Sequence, residues 1–287
     1  MATPEATRRT LALATPVALR PELSYFASVV LQTAINDLKR INAYFIDVIR
    51  WPIFPLTLFV IYQLSYGIAG RPLVEEADAV GFLLVGMVGL VVWGTTIWSG
   101  GYAIEMERGS GTAAALFLSP ASRVAVILGY GVGGLIWGLP AIAMIAVLAL
   151  LTGARFDVAD PPAVAAALVA LAMAALASGF ALASLFILSR RANMVANFIQ
   201  QPIYLLAGFA VPRASLPWWL HAPSELLPIA HAVDAVRASA LRGASLADCA
   251  PALSLALLTS LAFVVVGILA LGRVERVAKH RGELDLY

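Results

Sequence analysis

The stretch EMERGSGTAAALFLSPASR, Glu105 to Arg123, separates two long apolar runs. It is too polar to cross a bilayer and too well punctuated to be a plain loop. Glu105, Glu107 and Arg108 close the run before it, and Gly109, Ser110 and Gly111 spell a turn. Ser110 or Thr112 can cap a helix over Ala113–Leu118, a strong helix former with an apolar face. Ser119 and Pro120 stop that helix, and Ser122 and Arg123 open the next apolar run. Six apolar residues on a water-facing surface are costly unless they dock against another protein. An ordinary loop helix is the plain alternative.

The rest of the chain says what the stretch interrupts. Of 287 residues, 61% are hydrophobic and 13% charged, and the mean hydropathy is +0.88. Soluble domains run to about half apolar and a quarter charged, so the composition is that of an all-α polytopic membrane protein. The single cysteine, Cys249, excludes an internal disulfide and paired-cysteine metal or redox motifs. Crossing a bilayer takes about 20 apolar residues per helix. Six segments meet that need, near 52–69, 80–103, 124–151, 163–188, 194–211 and 251–272. Pro140 inside the third predicts a bend or tilt. The fifth is the most polar, with Asn197, Gln200, Gln201 and Pro202.

Lysine and arginine set the orientation. Fourteen of the nineteen fall before the first segment, in 105–123, in 189–193 or after Leu271, and five fall in the alternate connections. Both termini and the opening stretch are therefore expected on the cytoplasmic side of a bacterial inner membrane. LALATPVAL, after Arg8 and Arg9, is short, broken by Pro16 and followed by a charged amphipathic segment, which argues against a cleaved signal. The chain thus divides into a flexible cytoplasmic N-terminus (1–20), an amphipathic interface helix (21–50), a six-span domain (51–272) and a cytoplasmic tail (273–287).

In the interface helix Leu23, Phe26, Val30, Ala34, Leu38, Ile41, Phe45 and Val48 recur in steps of three and four. Trp51 and Pro52 mark its turn into the bilayer. Between spans five and six the chain is apolar and aromatic but broken by Pro212, Pro217, Pro223 and Pro228, so it cannot be one straight span. Trp218 and Trp219 suit the outer interface. Pro228 opens a helix with Ile229, Val233, Val236 and Ala240 on one face, ending at Gly243. On it Asp234 and Arg237, at i and i+3, can pair, either as structure or as a gate. His221, His231 and Asp234 match no standard metal spacing.

Asn193, Asn197, Gln201 and Tyr204 follow helical spacing along span five, with Gln200 beside them. Polar side chains in a bilayer core face protein or a water-filled cavity, so these either line a path or bond a neighbour. Gln63, Thr95 and Thr96 are weaker candidates for the same cavity. The pairs Gly129/Gly133 and Gly134/Gly138 predict close helix packing.

Three stretches together resemble one family. ERGSGTAAALFLSP resembles the E-R-G-T-L-E-x-L-L-x-S-P motif of the ABC-2 type exporter permeases, which include the daunorubicin, nodulation-factor and O-antigen exporters. NFIQQPIYLLAGFAVPRASLP, Asn197 to Pro217, is similar to the family's fifth span and outer proline-rich turn. LLPIAHAVDAVRASALRG, Leu226 to Gly243, is similar to its external helix. The resemblance covers about residues 20–275. It implies that 105–123 holds a coupling helix seated in a cleft of a separate ATPase subunit, with Glu107, Arg108, Gly109, Thr112, Leu116, Ser119 and Pro120 at motif positions and Phe117 beside them. An extra Ser-Gly before Thr112, and Ala114 where the family often has Glu, make this contact more apolar. The resemblance also implies re-entrant external helices that close the exit, with Pro212, Pro217, Trp218, Trp219, Asp234 and Arg237 as the candidate gate.

The chain has no GxxxxGK[ST] loop, so ATP and magnesium would be bound by the partner, present in two copies, and no cofactor by this chain. A second permease chain, identical or homologous, and membrane lipid complete the expected partners; no nucleic acid is expected. An intramembrane enzyme would need juxtaposed catalytic groups, and no histidine or carboxylate falls inside the six segments. A transporter driven by an ion gradient is the alternative reading, since sodium sites made from backbone carbonyls leave no sequence signal.

Overall fold

The computed structural model describes residues 22–42, 45–69, 79–102, 105, 107, 109, 111, 121–186 and 192–281. Among these residues the secondary structure is entirely helical. In chain order the helices are α1 (Glu22–Asn42), α2 (Phe45–Ala69), α3 (Ala79–Thr96), α4 (Arg123–Leu151), α5 (Pro161–Phe186), α6 (Ala192–Leu206), α7 (Trp218–Glu225), α8 (Pro228–Leu241) and α9 (Leu246–Arg281). A π-helical turn, Ile97–Gly101, continues α3, and a 3₁₀ turn, Arg213–Ser215, follows α6.

Among the described residues, four segments are long and apolar enough to cross a membrane: Ala79–Gly101, Arg123–Leu151, Pro161–Phe186 and Leu246–Arg273. The sequence predicts six. The described apolar stretch of α2 is Ile53–Ser65, and α6 has 15 residues, because Gly208 takes φ +71° and turns the chain short of residue 211. The expected interface helix also differs. α1 ends at Asn42, and the residues from Phe45, Trp51 and Pro52 among them, belong to α2. α4 runs through Pro140 from Arg123 to Leu151.

α3 is the centre of the bundle, buried along nearly its whole length, as expected for a helix that is apolar on every side. Its side chains share one core with α5, α8 and parts of α2, α4 and α9. The most extensive contact is α9 on α5, followed by α1 on α4. Glycines make the close approaches possible, and the two GxxxG pairs serve different neighbours. A Cβ at Gly129 would lie 2.8 Å from the Val30 carbonyl, and one at Gly133 would lie 3.3 Å from that of Ala34, so this pair seats α1. Gly134 and Gly138 instead seat α3, at Thr95. α1 therefore packs on α4 through Val30, Thr33, Ala34 and Asp37, while Leu23 and Leu31 point away.

Candidate functional site

One end of the bundle is built around α8. Pro at its first position and a positive φ at Gly243 just beyond its end fix its limits, as the sequence indicates. Ile229, Val233, Val236 and Ala240 are all buried. So is most of the rest, because Ala230, Ala232, Ala235 and Ser239 are small enough for α3, α5 and α9 to close in. The side of α8 follows α3 downward. Arg237 reaches the Phe82 carbonyl, and Val233 meets Gly89, two positions on α3 about 10 Å apart along its axis.

Arg237 is 3% exposed, a large desolvation cost unless its charge is satisfied. Its Nη2 donates to the carbonyls of Gly208 (2.8 Å), Phe209 (3.2 Å) and Phe82 (3.3 Å), and the guanidinium lies 3.6 Å from the centroid of the Phe82 ring. A cation thus stands on carbonyls of the turn that follows α6, and ties that turn to α3. The predicted Asp234–Arg237 pair forms only at 3.9 Å. The stronger partner of Asp234 is Arg213, whose Nη1 donates to Oδ2 at 2.5 Å. Arg213 also donates to the Glu225 carboxylate and, from Nε, to Ser224 Oγ at 2.7 Å. Ser224 in turn donates to the carbonyl of Leu206, the last residue of α6, at 2.7 Å. One arginine therefore joins the end of α6 to α7 and α8. Sequence spacing singles out none of Arg213, Ser224 and Glu225.

Pro212 caps the start of the 3₁₀ turn and Pro217 the start of α7, and Trp218 and Trp219 are well exposed on α7. His221 and His231 each place Nε2 on a backbone carbonyl, those of Leu216 (2.9 Å) and Glu225 (2.8 Å). Among the described residues no three potential metal ligands come together.

The predicted path residues divide. Thr95 and Thr96 are buried and turn their hydroxyls onto Val91 and Val92 carbonyls of their own helix, against glycines of α4 and α5. Gln63 is half-buried on α2. Gln200 donates to the Tyr204 hydroxyl, and the Tyr204 ring packs edge-on against Trp93 of α3, centroids 5.9 Å apart. Asn197 and Gln201 are exposed, with Met194, Phe198 and Leu205 on the same side of α6, and Asn193 falls in its first turn.

At the opposite end, Glu105, Glu107 and Gly109 are helical and Gly111 takes φ +71°, so Gly109 is helical where the sequence suggests a turn. Glu107 Oε1 accepts the Tyr130 hydroxyl of α4 at 2.5 Å. Arg40 lies over that ring, 5.9 Å from its centroid, and donates to Asp37 Oδ1 at 2.6 Å. Asp37 is buried, which pushes its carboxyl above the ordinary range against the pull of Arg40. Arg108, Thr112, Leu116, Phe117, Ser119 and Pro120 lie outside the described residues.

Both ends of the bundle can be set beside known proteins. The profile of the ABC-2 type transporter family matches residues 29–241, about three quarters of the chain. The chain belongs to the ABC-2 type transporter family. A search among curated proteins gave no match. The matched region runs from α1 through the 105–123 segment to the last turn of α8, and so includes both ends described above. Membership makes this a multi-pass membrane protein and a transport subunit, of a family whose members work with an ATPase subunit.

Proposed function

We propose that the chain is the permease subunit of an ATP-binding-cassette exporter that moves an amphipathic or lipid-like molecule or drug out across a bacterial inner membrane. The family match carries this reading, because it takes in the segment after α3 that resembles a coupling helix. Two copies of a separate ATPase subunit bind ATP and magnesium, and a second permease, identical or homologous, completes the transporter. Arg108, Thr112, Leu116, Phe117, Ser119 and Pro120 form the face that docks in the ATPase. ATP closes the ATPase pair, the docked segments move with it, and the equilibrium shifts toward an outward-open state.

In this reading α2 and α6 join the four longer helices as six spans, with both termini in the cytoplasm. The exposed stripe of α6, Met194, Asn197, Phe198, Gln201 and Leu205, faces the partner permease and the path between the two chains, as do Ile53, Phe54, Ile61 and Leu64 of α2. Gln63, Asn193, Gln200 and Tyr204 border that path. Thr95 and Thr96 serve packing instead. The α7–α8 hairpin enters the outer leaflet and returns, which fits the burial of α8 against protein rather than lipid. It closes the exit, held by Arg213 and Arg237, with Asp234 between them.

The test is uptake of a panel of fluorescent amphipathic compounds by inside-out membrane vesicles containing the complex. Accumulation should need ATP, stop with vanadate and survive ionophores that collapse ion gradients. Uptake that ionophores abolish and vanadate leaves intact would mean a gradient-driven transporter instead.

A further inference from the structure

Four side chains from three parts of the chain run in an unbroken line at the inner end of the bundle. Glu107 Oε1 accepts the Tyr130 hydroxyl, the Tyr130 ring lies beneath Arg40, and Arg40 is paired with Asp37. The line ends in a wedge. The Asp37 side chain is fully buried, its carboxylate also feels the Ser99 hydroxyl, and its Oδ2 lies where a Cβ on Gly133 would come within 2.9 Å. Gly129 and Gly133 bracket Tyr130, and their missing side chains are what let the α1 backbone come close enough for Arg40 to reach the ring.

We propose that Tyr130, oriented by Arg40 and Asp37, is a positioning residue for energy coupling, fastening the 105–123 segment through Glu107 to α4 and α1. A push on that segment then reaches both helices as one body. The inference rests on the exporter reading and changes one part of it: Glu107 is an internal anchor, and the contact with the ATPase belongs to the residues after it. Three features support the assignment. The phenol donates to a carboxylate, the kind of acceptor that makes the stronger hydrogen bonds. Tyr130 is buried, so water competes poorly for its hydroxyl. Plain packing of an aromatic ring would not need an acid at its hydroxyl end or a cation over its face. A buried carboxylate is costly, and here it holds the arginine that covers the ring.

The experiment uses the full-length chain purified with its ATPase subunit, measuring ATP hydrolysis per assembled complex for wild type, Tyr130→Phe, Glu107→Gln and the double variant. The ATPase should remain bound in all four. Each single variant should lose about tenfold of the permease-dependent stimulation, and the double variant should lose no more, because both remove one link. Arg40→Gln, which leaves the hydroxyl and carboxylate in place, should lose less, and it stands in should Tyr130→Phe fail to fold. Wild-type stimulation in Tyr130→Phe, or losses that multiply in the double variant, would overturn the anchor. Loss of the ATPase from Glu107→Gln alone would make Glu107 a docking residue and overturn it as well. A wild-type chain that brings down no ATPase would overturn the exporter reading itself, and the variants then need not be compared.

Discussion

Gly86→Ala is the smallest change that tests how the turn after α6 is held against α3 and α8. Gly86 sits on α3 beneath the turn that follows α6, and an added Cβ would lie 1.6 Å from the Phe209 carbonyl oxygen, with Arg237 Nη2 at 2.9 Å. The obstacle is backbone, so no rotamer change relieves it. Reaching even 3.0 Å requires the turn to retreat by about 1.4 Å. A shift of that size separates Arg237 from the Gly208 and Phe209 carbonyls, now 2.8 and 3.2 Å away. Overpacking of this kind costs about 1–3 kcal/mol. A lost hydrogen bond from a buried cation adds about 1.5–3 kcal/mol. The better helix propensity of alanine returns about 0.5–1 kcal/mol. The net loss is about 2–5 kcal/mol, or a melting temperature lower by about 5–15 °C in detergent. Gly94→Ala on the same helix is the control, since nothing lies within 4 Å of its added Cβ. It should melt with wild type or slightly above. If Gly86→Ala melts together with Gly94→Ala, the close seat of the turn on α3 is wrong.

Other consequences arise from the same contacts. Arg213→Met should loosen the hairpin, and Cys249, buried beneath α8 with its Sγ 3.9 Å from the Ala235 carbonyl, reports it: labelling by a membrane-impermeant maleimide should quicken several-fold. An unchanged rate would show that Arg213 does not hold α7 and α8 closed. Gly133→Val should drive α1 off α4 at a cost of about 1–3 kcal/mol, seen as faster proteolysis within Glu22–Asn42. Protection equal to wild type would refute that packing. Because burial raises the Asp37 carboxyl above 3.8, the folded chain binds its proton more tightly than the unfolded one. That stabilisation is present at low pH and is lost as pH climbs from 3.8 through the raised value. Asp37→Asn should lack that decline, and an unchanged slope in its melting profile would place the titration elsewhere.

Local signals carry the sequence reading where structure is local. Pro228 and Gly243 mark α8 within two residues, and the three-four spacing of Ile229, Val233 and Val236 gives its buried face. The GxxxG pairs announce close packing but not its partners, which depend on how the helices associate. Pairing is the least legible part. The i,i+3 rule puts Asp234 with Arg237, yet its tighter partner, Arg213, lies 21 residues away across a turn, and nothing in the intervening sequence encodes that distance. Asp37 sits beside Ala34 on the buried side of α1, where a helical wheel built on apolar residues alone passes over it. The division into α1 and α2 is hidden because apolar spacing continues from Ile41 to Phe45. Apolar Phe209, Ala210 and Val211 make α6 read too long, although the turn at Gly208 has already ended the helix.

The most direct measurement is purification of the chain from its native host in mild detergent, followed by assay for a vanadate-sensitive ATPase that comes down with it. It is done for wild type and for Leu116→Asp and Phe117→Asp, which put charge into the apolar face after Thr112. ATPase that accompanies wild type and is lost from both variants is the predicted result. A chain that brings down no ATPase, even from crosslinked membranes, contradicts the account and makes the gradient-driven transporter the better reading.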